Sequence, residues 1–178
     1  MDPIAPESAG EVFLTAEEYE AVHAAVRTVA GAWGSGQPRT LNALLEQWNE
    51  LVHEVEEGYG WSAPELSNDL GCRTALAQIW RLLPPRVRAI RQPELDEIDR
   101  RFHATTVGWP GRDGQEGQWW LRRVPQRLEA ETAQGSTHGW PMGWDVMTFP
   151  KPESVEITHC NAAELSASIS PGMKATAG

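Results

Sequence analysis

The sequence predicts a mostly α protein, with about four main helices in an antiparallel bundle and an irregular, Trp-rich C-terminal portion. Three observations predict this class. N-cap and capping-box signals precede three runs in the first half of the chain. Apolar residues within those runs recur at three- and four-residue spacing. From about residue 108 onward, Gly, Pro and Trp replace that periodicity. A length of 178 residues suits one domain, and nine Trp with 40% apolar residues can supply a packed core. The expected division is an N-terminal arm over 1–13, a single helical domain over 14–160 that turns irregular near 108, and a flexible tail over 161–178.

In chain order, Thr15 and Glu18 stand at capping-box spacing. Tyr19, Val22, Val26, Val29 and Trp33 then share one face of a first helix. "GSGQPR" breaks it. Thr40 is the expected N-cap of a second helix, whose stripe is Leu41, Leu44, Leu45, Trp48, Leu51, Val52 and Val55, with Gly58 at its end. Ser62 and Glu65 form another capping box, with Pro64 in the first turn, and a third helix is expected to run to about Leu83. After Pro84 and Pro85, a short helical piece "RVRAIRQ" leads to Pro93, and "PELDEIDRRFHATT" reads as the fourth long segment. Beyond Gly108, "GWPGRDGQEGQ" reads as a loop and "WWLRRV" as a short strand edged by Pro125. "PQRLEAETA" reads as a short helix, and "SVEITHC" contains a last strand, so one small hairpin fits this half.

The net charge is −10, unevenly spread. Residues 1–69 hold thirteen acids against Arg27 and Arg39, whereas residues 70–127 hold eleven Arg against six acids. An acidic surface argues against nucleic acid as a partner, because phosphate binding needs clustered positive charge. No run of eighteen apolar residues occurs, so no membrane partner is expected. The first residues, "MDPIAPESAGEVF", lack the basic and apolar regions of a secretory signal. Cys72 and Cys160 have no paired spacing, so neither a metal site nor a disulfide framework is expected, and a reducing, cytoplasmic setting follows. No cofactor is expected either: no glycine loop of the nucleotide-binding kind occurs.

Asp69 and Arg73 fall in the middle of the third helix's apolar stripe, and Asp99 sits among Leu95, Ile98 and Phe102 of the fourth segment. Charges taken out of water must be paired, and a guanidinium fork can serve two carboxylates. The expected arrangement is Arg73 held between Asp69 and Asp99, clamping the third helix to the fourth. Together "EVEEGYGW", "PELSNDLGCRTAL", "LDEIDRRFHATT" and "WWLRRVP" resemble a group of small uncharacterised helical proteins from high-GC bacteria. Thirteen Arg against two Lys agree with a GC-rich genome. The resemblance covers about residues 40–128 and carries no activity. It implies that Asn68, Asp69, Arg73 and Asp99 belong to a shared framework.

Other constellations are weaker. Glu20/His23 and Glu50/His53 have the Glu-x-x-His spacing of di-iron ligands, but the helical wheel turns them toward solvent. Cys160 has no base-orienting group beside its neighbouring His159. Trp33, Trp48 and Trp80 lie on apolar faces and are expected in the core. Of the later Trp residues, most are expected to pack back over the helices, with a partly exposed cluster near Arg122 and Arg123 as a candidate surface.

Two function classes compete. The first is an acidic, non-enzymatic protein-interaction module, an immunity-type inhibitor or regulator of a basic protein partner. Its expected contact residues are Glu54, Glu56, Glu57, Tyr59 and Trp61, where acids ring aromatic side chains. The second is a small enzyme or ligand-binding protein with a pocket between the helices and the Trp-rich segment, using Asp69, Arg73, Asp99, Trp119, Trp120, Arg122 and Arg123. A homo-oligomer is compatible with either class, and processing of the Ser/Thr-containing tail is a third, weaker expectation.

Overall fold

The computed structural model describes residues 13–32, 40–109, 117–130 and 137–159. The chain is mostly helical, with small strand pairs in the Trp-rich region. Helix α1 spans Ala16–Ala32, α2 Leu41–Glu57, α3 Ala63–Asp69, α4 Gly71–Leu82 and α5 Pro85–Thr105. Residues 1–12 of the expected arm 1–13, the break after α1 with Trp33, Cys160 and the tail 161–178 lie outside the described residues.

Local signals start the helices as expected. Thr15 and Glu18 exchange backbone-to-side-chain hydrogen bonds at the head of α1, and Thr40 accepts from the Ala43 amide at the head of α2. The α2 stripe is buried throughout, with Trp48 and Val52 fully enclosed. On α1 only the inner part of the expected stripe is buried: Val26 and Val29 are, whereas Tyr19 is exposed. α2 packs on both α4 and α5, and α1 packs on α4.

The expected third helix is two helices. Ser62 and Glu65 start α3, and the helix is interrupted at Leu70, within a stretch, Asn68, Asp69 and Gly71, of poor helix formers. The opposite departure occurs at Pro93, which lies inside one continuous α5 instead of dividing it. Proline in a helix interior costs about 3 kcal/mol. Here Val87 before it and Leu95, Ile98 and Phe102 after it are all buried, and that packing holds the helix through.

The Trp-rich region also departs from expectation. Trp119–Arg122 is a 3₁₀ turn, and the strand β2 begins only at Arg123 and ends at Pro125. It pairs antiparallel with β1, Thr106–Gly108, which continues directly from α5. The run expected as a short helix holds a strand instead, β3 over Arg127–Ala130. β3 pairs in parallel with β4, Glu156–His159, and on its other edge Tyr59 forms a bridge with Leu128. β3 thus hydrogen-bonds on both edges, which holds the segment extended despite its helix-favouring Leu, Glu and Ala. Trp120, Trp140 and Trp144 are buried in the same core as the helices, and Trp109 and Trp119 pack against it. Trp80 is half-buried, with its indole donating to Gln92 (2.7 Å).

Residues 58–62 stitch the two halves together. Gly58 ends α2 at φ +136°, where a Cβ would come within 2.9 Å of the Glu129 carboxylate. The Tyr59 amide donates to the Arg127 carbonyl, and the Glu129 amide donates to Tyr59. Gly143, at φ +85°, lies so close that a Cβ would meet Ser62 at 3.2 Å. Its carbonyl accepts from the Ala63 amide (3.0 Å), and the Trp144 indole donates to the Trp61 carbonyl (2.9 Å).

Candidate functional site

Two sets of polar side chains on α2 form separate flanks. Asn42, Asn49 and Glu56, seven residues apart, meet α5: Arg91 donates to Asn42, and Arg101 donates to Asn49 and, through two nitrogens, to Glu56 (2.8 and 2.5 Å). These hydrogen bonds from Arg101 hold the Glu56 carboxyl below its ordinary range and raise the Arg101 guanidinium. Gln47, Glu50 and Glu54 form the other flank, beside the buried Leu51. They line a groove of about 370 Å³ whose opposite wall is Trp61, Glu65 and Asp69 of the turn and α3.

Four carboxylates therefore face one groove, and no basic residue lines it among the described residues. Three of the four accept from neutral donors. Glu54 accepts from the Trp61 indole (2.6 Å), Asp69 from the Tyr59 hydroxyl (2.8 Å), and Glu65 from the Ser62 amide and hydroxyl. The Ser62 bonds lower the Glu65 carboxyl below its ordinary range. Burial, reinforced by the Asp69 carboxylate, pushes the Tyr59 hydroxyl far above its ordinary range, so it stays a donor. Among the described residues none of the four carboxylates is in an ion pair.

The charged pair in the core lies behind this groove. Arg73 lies against Asp99 with both forks engaged (2.8 and 2.7 Å), and the Trp48 indole donates to the same carboxylate (3.0 Å). The Arg73 guanidinium also sits 4.3 Å from the centroid of Trp120, whose indole donates to Thr74. The side chains of Arg73 and Asp99 are only 8% and 17% exposed. Asp69 takes no part. It is turned to Tyr59, because the interruption at Leu70 separates its helix from that of Arg73. The expected three-membered clamp is thus a two-membered one with an aromatic lid.

The two expected residue sets are each divided. Of the partner-contact set, Glu54 and Trp61 line the groove and Trp61 is 56% exposed. Glu57 is exposed near His53 (3.6 Å), Glu56 is bound to Arg101, and Tyr59 is fully buried, so it supports the groove from within and offers no contact surface. Of the pocket set, Asp69 belongs to the groove, while Arg73, Asp99 and Trp120 are enclosed by one another. Arg123 donates to the Thr106 hydroxyl and carbonyl and to the His103 carbonyl, and burial lowers its guanidinium. Trp119 packs edge-on against Trp120 near Phe102 and His103, and Arg122 is exposed at the end of the same turn.

Glu50, Glu65 and Gln47 were not expected at the site. Glu50/Glu54 and Glu65/Asp69 are both four-apart acid pairs, on consecutive helices joined by the five residues Gly58–Ser62. A short connection makes such helices neighbours, so the paired spacing was the available signal. Comparison with family models, with curated proteins and with solved structures finds no match.

Proposed function

We propose that the chain is an acidic protein-interaction module, of the kind that inhibits or regulates a basic partner, and that the groove between α2 and α3 is where it meets that partner. The observation that carries this reading is four carboxylates around one groove, three of them held in place by neutral donors, with no cation lining it among the described residues. Carboxylates fixed this way are oriented before binding and keep their charge for an incoming ammonium or guanidinium. Exposed Trp61 at the rim supplies the aromatic side chain that interface hot spots favour. The same reading is favoured over a ligand pocket beneath the Trp-rich segment, since Arg73 and Asp99 there satisfy each other.

Capture of partners from the native lysate at low and high salt tests it. A stoichiometric basic protein, released by salt and retained by the native chain but not by a Glu50→Gln/Glu54→Gln variant, is the expected outcome. Equal capture by both chains would remove the groove from the reading.

A further inference from the structure

The turn that runs from Trp140 to Met147 is bonded to residues 61–63 at the rim of the groove and carries a shelf of exposed apolar side chains. Six large apolar side chains are exposed among the described residues, and Trp61, Met142 and Val146 are three of them. The turn carrying Met142 and Val146 is hydrogen-bonded along residues 61–63, through Trp144 to Trp61 and Gly143 to Ala63. Its inward side chains, Trp140, Trp144 and Met147, fill the core, while Met142 and Val146 face out at 67% and 62% exposure. Asp145 between them is exposed as well. An irregular turn gains nothing in folding from two outward apolar side chains, and apolar patches bordered by charge mark interaction surfaces.

We propose that this shelf and the acidic groove form one docking surface for a partner-protein segment in which an arginine or lysine is flanked by a bulky apolar residue. The cation enters among Glu50, Glu54, Glu65 and Asp69, and the apolar neighbour covers Trp61, Met142 and Val146. This rests on the interaction-module reading and adds the partner's chemistry to it. Charge complementarity selects the occupant: a purely apolar segment would leave the carboxylates without a counter-ion, and a purely cationic one would leave the shelf wet. A second copy of this chain would bring a like net charge of −10 to the contact.

The test is a displayed library of random dodecapeptides panned against the full chain at low salt, followed by synthetic peptides in solution. Enriched sequences are expected to place Arg or Lys within a few residues of Leu, Met, Phe or Trp. Affinity of the best peptide is expected to fall by about thirtyfold on Trp61→Ala and by about tenfold on Met142→Ser/Val146→Ser or Glu50→Gln/Glu54→Gln. All of these side chains are at the surface, and circular dichroism checks that each variant is folded. Cationic peptides without an apolar preference, bound equally by the Met142→Ser/Val146→Ser variant, would overturn the inference and leave the acidic module standing. A library with no binder would overturn both. A dimer in sedimentation that the same variants abolish would assign the surface to a second copy and overturn the partner.

Discussion

The two flanks of α2 treat the same residue type in opposite ways. Toward α5, Glu56 is gripped by Arg101, and deeper in the same layer Asp99 is gripped by Arg73. Toward α3, Glu50 and Glu54 face Glu65 and Asp69 across a groove, and among the described residues the donors to Glu54, Glu65 and Asp69 are neutral. The first flank uses charge to join helices. The second leaves charge uncompensated, which a fold tolerates only where water, or a partner, can reach it. Part of the basic middle of the sequence is therefore spent on internal pairing: Arg73, Arg86, Arg91, Arg100 and Arg101 each hold an acid.

The sharpest way to break this comparison is at Asp99. Arg73→Met should lower stability by about 3–5 kcal/mol in urea unfolding, because a mostly buried carboxylate loses its counter-ion. An unchanged midpoint would remove the paired core. Tyr59→Phe comes next, at about 1.5 kcal/mol, since a fully buried phenol no longer donates to Asp69.

Glu56→Gln should cost at most about 1 kcal/mol at neutral pH, its pair with Arg101 being partly exposed. It should also reshape the acid limb. The folded Glu56 carboxyl lies below its ordinary value of 4.5, so its contribution is complete above that value and is lost as pH falls beneath it. Titrating stability downward from pH 6 should show a smaller loss in Glu56→Gln than in the native chain, and parallel curves would contradict the assignment. On the other flank the sign reverses. Glu50→Gln removes one member of a four-apart acid pair and should raise stability by about 0.2–0.5 kcal/mol. A loss there would mean that Glu50 is held by a cation after all.

How far all this was legible depends on which interactions decide each element. The starts of α1, α2 and α3 rest on side chains three residues away, so Thr15/Glu18, Thr40 and Ser62/Glu65 announced them. The pairing of Arg73 with Asp99 was legible because a charge in an apolar stripe must find its opposite. The continuity of α5 through Pro93 and the extended β3 were not, since burial on distant residues and a bridge to Tyr59 decide them. Tyr59 was read as surface because acids surround it in sequence, yet its ring fills the joint between α2 and Trp144 (centroids 6.2 Å apart). The groove lay in the spacing of two acid pairs, but that spacing becomes a site only once the 58–62 turn sets α3 across the groove from α2.

The most direct test of the unpaired flank is the Trp61 indole N–H resonance, identified by its loss in Trp61→Phe and followed while hexa-arginine is added. Because that N–H is bonded to Glu54 inside the groove, the account predicts a saturable shift at low salt, reversed by added salt and abolished by Glu50→Gln/Glu54→Gln. A Trp61 signal that stays in place while resonances elsewhere on the chain move would contradict it.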